Sequence, residues 1–166
     1  MFSIYKSHYN LLYNKLVELS RNIFFYRNIQ LKDNFETRIN LIFVHMAIIL
    51  IIFKKKNKKK FPQNIFDNIF LNIEYHLREI GHGDVSVNKK MKILNRNFYD
   101  ILLKIEEKKI DKFTINASMI KKHLLNEIND ESKYMSKLTS YFEDFYDFCF
   151  ELDHNIMLKG EINYKN

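Results

Sequence analysis

The sequence predicts an all-α fold, a single domain over residues 1–166 built as a bundle of about six helices. Three observations carry this expectation. One proline and three glycines in 166 residues are too few breakers for the many turns of a sheet protein. A hydrophobic content of 46%, with 15% aromatics, is ample for a core. Apolar residues recur at three- and four-residue spacing through most of the chain.

The first helix is expected from Ser3 to Arg27, on Leu12, Leu16, Leu19, Ile23 and Tyr26. Asp33 caps the second, with Glu36 three residues on in the manner of a capping box. That helix enters Leu41–Phe53 (LIFVHMAIILIIF), apolar on nearly every side. The third opens at Phe61-Pro62, because proline suits a first helical turn, and buries Phe66, Ile69, Phe70, Ile73, Leu77 and Ile80. Ser86 or Asn88 caps the fourth, whose stripe is Met91, Leu94, Phe98, Ile101, Leu102 and Ile105. A short polar fifth helix spans Asn116 to Ile128. The sixth follows Met135, Leu138, Phe142, Phe145, Cys149 and Leu152 at heptad spacing, too short for a free coiled coil.

Two of the three glycines fall in one turn, Gly81-His82-Gly83-Asp84, which forms a Gly-x-Gly-Asp elbow between helices three and four. Gly81 directly follows Ile80, the usual place for a left-handed C-terminal cap. Arg78-Glu79 and Lys89-Lys90 crowd charge of both signs around it. Arg78, Glu79, Gly81, Gly83, Asp84 and Lys90 are therefore candidate contacts for a client or partner. Arg78, Glu79 and Asp84 have a second reading, an internal salt-bridge network that fixes the angle between the helices.

The formal charge of +7 is local. Six of the 27 basic residues lie in KKKNKKK (Lys54, Lys55, Lys56, Lys58, Lys59, Lys60), leaving 21 against 20 acidic residues elsewhere. Such a run reads as a solvated loop beside an apolar helix, or as a contact with an anionic membrane surface or another polyanion. Ribosomal RNA stays open on charge alone; DNA is not expected, because no helix-turn-helix pattern accompanies the run. The apolar run itself falls short of the ~20 residues a bilayer crossing needs, so a buried core helix is expected. The first twenty residues show neither a signal peptide nor a transit peptide.

Catalytic patterns are sparse. There is no glycine-rich phosphate loop, no HExxH and no Gly-x-Ser-x-Gly elbow. The single cysteine, Cys149, lies on an apolar stripe and reads as a core residue. No two histidines pair at helical spacing for metal ligation. His45 reads as a hydrogen-bonded core histidine, with haem ligation as the rival. No cofactor, metal or enzymatic activity is expected. Among many lysines stand five arginines, each marking a place that needs a planar, multi-donor head group. Arg27 and Arg96 read as chance; Arg21, Arg38 and Arg78 remain.

Several blocks together carry a resemblance. LYNKLVELSRNIFFY holds Arg21, Phe25 and Tyr26, and LKDNFETRINLIFVH holds Asp33, Arg38 and His45. Then come Phe66-Asp67, Leu77-Arg78-Glu79, Gly81-His82-Gly83-Asp84, Val87, Lys89-Lys90 and Phe98-Tyr99. In order and spacing this resembles the ubiquinol–cytochrome c chaperone family over roughly Tyr13 to Tyr99. Ile39-Asn40 stands where the family usually has Phe-Asp, so an ion pair built on that carboxylate is not expected here. The resemblance implies a non-enzymatic, all-helical assembly factor for respiratory complex III that binds nascent cytochrome b. It also implies a bacterial member in the cytoplasm, peripheral to the inner face of the membrane, with the mitochondrial matrix side as the alternative. Mitochondrial relatives act with a small partner at the ribosome, which makes the ribosome a further expected partner. The rival reading is a peripheral lipid- or quinone-binding protein with Leu41–Phe53 lining a pocket.

Overall fold

The computed structural model describes residues 10–57 and 60–166. Its axis is α3 (Phe35–Asn57), with α1 (Leu11–Ser20), α5 (Asp84–Lys104) and α7 (Glu131–Phe150) packed around it. α2 (Ile23–Arg27), α4 (Gln63–Glu79), α6 (Ala117–His123) and α8 (His154–Leu158) complete an all-α bundle. Between α5 and α6 lies a small antiparallel hairpin, β1 (Glu106–Lys109) and β2 (Lys112–Ile115). One cluster of buried apolar side chains runs through every helix.

The expected first helix is broken. Asn22 turns its side-chain oxygen onto the Phe24 N–H at 3.0 Å, ending α1 and opening α2. This local bond competes with helix continuation, as Asn commonly does. The segment expected to begin that helix, from Ser3, lies outside the described residues. Asp33 does not cap α3. Asn34 does, accepting the Thr37 N–H at 2.9 Å, while Asp33 pairs with Arg38.

α3 is buried at every position from Ile39 to Ile49. Within its 22 residues Phe35–Lys56 an 18-residue window reaches mean hydropathy 1.8, so the helix is long and apolar enough to cross a membrane by length and composition. Packing inside the bundle, not shortness, is therefore what accounts for the run. At its centre the His45 imidazole is fully buried among Phe25, Phe142 and Phe145. Nδ1 donates to the Leu41 carbonyl at 2.7 Å, and Nε2 accepts from the Tyr141 hydroxyl at 2.9 Å. With both nitrogens satisfied, burial lowers its pKa to about 4, so the ring is neutral. Cys149 is also buried, its thiol pushed up to about 12 by loss of solvent. Neither residue is presented to a ligand.

The later helices follow their stripes with shifted ends. Pro62 stands immediately before α4 rather than in its first turn, and Ile80 is half-exposed beyond its last turn. Gly83 caps α5, so neither Ser86 nor Asn88 does. Asn116 caps α6, which stops at His123, short of the expected Ile128. Asp100 of α5 clamps α6, receiving Lys122 at 2.8 Å and His123 at 2.7 Å, with Lys104 at 2.6 Å. These three donors hold the Asp100 carboxyl well below the usual carboxylate range. Asn40 joins the same corner by donating to the His123 carbonyl at 3.0 Å.

Candidate functional site

The elbow is set by backbone geometry first. After Leu77 the last turn of α4 closes with His82 N–H donating to the Leu77 carbonyl at 3.2 Å. Gly81 N–H donates to the Arg78 carbonyl at 3.1 Å. This pair of bonds is the Schellman ending, which requires a left-handed residue at Gly81, where φ is 102°. Gly83 then caps α5 in extended backbone, its carbonyl accepting the Val87 N–H at 2.9 Å. Asp84 sits in the first turn of α5, where its charge suits the positive end of the helix dipole. A Cβ added at Gly81 or Gly83 would meet nothing within 4 Å.

Arg78 ties the two helices together. Its guanidinium bonds Asp84 across the turn and Glu74 one turn back at 3.1 Å. Those two carboxylates raise its pKa further. The internal salt-bridge network therefore exists, built from Arg78, Asp84 and Glu74. Glu79 stands apart from it, 3.9 Å from His76. Lys90 is exposed and makes no ion pair among the described residues.

Beside the elbow runs a groove that no local sequence pattern announced. A cavity of about 420 Å³ lies between α1, the start of α3 and the end of α4. Val17, Ile39, Ile42 and Ile80 give it apolar walls, and Arg21 and Arg38 give it charge. Tyr13 and His76 also bound a second cavity of about 620 Å³, which reaches Arg78 and Glu79. The phenyl ring of Phe35 stacks on His76 at 5.4 Å and fixes that wall. Arg38 is neutralised by Asp33 at 2.7 Å. Arg21 has no ion pair or side-chain hydrogen bond among the described residues, and residues 1–9 contain no acid that could supply one. Three of the five arginines thus line these two adjoining cavities, Arg21 and Arg38 the first and Arg78 the second, while Arg27 and Arg96 line neither. Arginine identity was the sequence signal for this site.

The lysine run lies at the other end of α3, roughly 35 Å away at 1.5 Å per residue. Lys54, Lys55 and Lys56 form the last turn of the helix rather than a loop. Lys55 bonds Glu106 of the hairpin and lies 5.8 Å over the Tyr146 ring. Lys56 donates to the Phe150 and Leu152 carbonyls, the second at 2.8 Å, at the end of α7. Lys54 and Lys60 are exposed without an ion pair among the described residues. Lys58 and Lys59 lie outside the described residues. Among those residues no group of three or more His, Cys, Asp or Glu could hold a metal ion.

The family model for "Ubiquinol-cytochrome C chaperone" matches residues 27–163. The chain belongs to the ubiquinol-cytochrome C chaperone family. The match extends well past Tyr99, through the hairpin, α6 and α7, where the motifs give out. The fold is similar to the crystal structure of the Cbp3 homolog from Brucella abortus, with a TM-score of 0.69 at 22% identity. That likeness covers 94% of this chain and 87% of the other. No curated protein matches the chain. Family membership supports a role in assembly of respiratory complex III with a client protein as partner.

Proposed function

We propose that this protein is a non-enzymatic chaperone that binds newly made cytochrome b during assembly of ubiquinol–cytochrome c reductase. The observation that carries the reading is the groove beside the elbow. It combines apolar walls with Arg21, a guanidinium that no internal carboxylate neutralises. A newly made membrane subunit presents apolar segments flanked by charged and polar loops, and the groove offers both kinds of contact. The elbow glycines leave the backbone at its rim bare, and Arg78, Glu79, Asp84 and Lys90 surround that rim.

In this reading the chaperone works against the anionic inner face of a bacterial cytoplasmic membrane, where its client is inserted, and the lysines at the end of α3 that lack an ion pair among the described residues support it. The matrix face of the mitochondrial inner membrane would serve the same physics, and the ribosome is a further docking partner there. The rival lipid- or quinone-pocket reading asks Leu41–Phe53 to line a cavity, yet of those residues only Ile42 reaches the groove.

The test is recovery of cytochrome b with tagged chaperone from its native host, comparing wild type with Arg21→Glu. Arg21 makes no ion pair or side-chain hydrogen bond among the described residues, so the variant should lose no more than the ~1 kcal/mol of a charge reversed at the C-terminal end of α1. It should lose most bound cytochrome b and lower complex III activity. A wild-type client set without cytochrome b would end this reading.

A further inference from the structure

The β1–β2 hairpin breaks two local rules at one spot. Its register pairs Lys109 with Lys112, so the connection is only Ile110-Asp111. Two-residue connections favour Gly, Asn and Asp. Asp111 meets that demand at φ 69°, but a β-branched apolar residue precedes it. Ile110 is 93% exposed, the most exposed large apolar side chain among the described residues. The second rule concerns charge, since Lys109 and Lys112 stand directly opposite each other, where like charges repel. Lys108 and Lys54 add to the same excess, and none of these four lysines has an ion pair among the described residues. Local choices that work against the fold are where function is expected.

The tip is held out stiffly. Phe113 stacks on Tyr146 of α7 with ring centroids 4.1 Å apart, and Ile115 is buried beneath β2. Lys55 of α3 bonds Glu106 of β1, which joins the hairpin to the lysine end of α3. Ile110 and the lysines of both elements therefore belong to one rigid end.

We propose that this hairpin is a membrane-contacting wedge for anionic bilayers. Lys108, Lys109 and Lys112, with the lysines of α3, engage lipid phosphates while Ile110 enters the interfacial layer. Glu106, Glu107 and Asp111 equal the hairpin's three lysines in number, so the surplus cations come from α3, and cations alone are insufficient without the apolar tip. A membrane surface fits this chemistry because it offers negative charge outside and hydrocarbon just beneath. The inference rests on the membrane placement given above and names the element that makes the contact.

The experiment is co-sedimentation of the full chain with phosphatidylcholine vesicles, alone or mixed with phosphatidylglycerol. Wild type is expected to bind only the mixed vesicles, and less well as salt rises. Ile110→Ser should weaken binding about tenfold, the scale expected for losing one buried aliphatic side chain. Replacing Lys108, Lys109 and Lys112 together by Gln should abolish most of it. A solvatochromic label at Ile110→Cys should shift to the blue on mixed vesicles, and the only native thiol, Cys149, is buried and does not compete. Binding unchanged in both variants would overturn the wedge while leaving the α3 lysines as the membrane contact. No wild-type binding would overturn the wedge and the membrane placement together, with cytochrome b recovery still judging the chaperone reading. Loss of cytochrome b by Ile110→Ser with vesicle binding intact would make the tip a protein contact and overturn the proposal.

Discussion

At the N-terminal end of α3 the arginines meet carboxylates: Arg38 with Asp33, and Arg78 with Asp84 and Glu74. At the C-terminal end Lys56 meets backbone carbonyls and the Phe150 ring, and Lys54 and Lys60 meet no acid among the described residues. Only Lys55, through Glu106, resembles the first pattern. The first end is therefore a shaped surface whose arginines are largely neutralised, with one spare guanidinium in the groove, Arg21, and it can select by geometry. The second also holds a cavity, of about 510 Å³ between the hairpin and the end of α7, but its lysines are less neutralised, so contacts made there would depend on sign and weaken with salt. Glycine inverts the contrast. The elbow glycines face open space, whereas Gly160, at the lysine end, is pressed against the backbone of α1.

The largest expected effect follows from that inversion. A Cβ at Gly160 would stand 2.4 Å from the Leu11 carbonyl oxygen, and φ there is 68°. Backbone cannot yield as a side-chain tip can, so overpacking and left-handed strain add. Gly160→Ala should cost roughly 3 kcal/mol, or about 10 °C in Tm by calorimetry. Gly81→Ala should cost roughly 1 kcal/mol, since it carries backbone strain without a clash. Equal melting temperatures for the two would mean that the lysine end is the looser one.

Legibility in the sequence divides along similar lines. The stripes of α4, α5 and α7 were readable because Ile69, Leu94 or Phe142 bury for reasons internal to their own helix. The elbow was readable because Gly81 answers a requirement of the turn itself. The hairpin was not, because Glu106-Glu107-Lys108-Lys109 lacks strand alternation and its turn lacks glycine. It exists because Phe113 and Ile115 find α7, a contact no local pattern encodes. Gly160 gave no signal for the same reason, as its constraint comes from Leu11. The groove was half-legible, with three arginines visible as unusual choices while its walls come from three separate elements. Caps were misplaced by small steps where neighbours compete, as with Asp33 and Asn34.

The contrast between the ends presumes that α3 holds them apart as one stiff piece, and His45 is the polar pin that fixes it to α7. Its folded imidazole takes a proton only near pH 4, whereas an unfolded chain's does so near 6.5. Between those values the unfolded state binds more protons, so stability is full above about pH 6.5 and falls as the solution is acidified. The loss should be about 2 kcal/mol by pH 5, before most carboxylates titrate. Urea unfolding from pH 7.5 to pH 5 reads it directly. His45→Gln should flatten the profile while lowering stability at pH 7.5, because the Tyr141 hydroxyl loses its acceptor. A flat wild-type profile would mean that His45 already reaches solvent, and the pin would be no pin.

The smallest change in stability makes the sharpest test of the elbow. Gly83 has ordinary extended backbone and open space around it, so nothing inside the protein requires glycine there. As the N-cap of α5 it supplies no side-chain acceptor, and a serine hydroxyl could accept an N–H from the first turn. Gly83→Ser should therefore leave Tm unchanged or raise stability by up to about 0.5 kcal/mol. If the bare backbone at the rim is where the client lies, the same variant should recover several-fold less cytochrome b. A variant that is more stable and less active cannot be explained by damage to the fold, whereas full recovery would move the client contact away from the elbow and into the Arg21 groove.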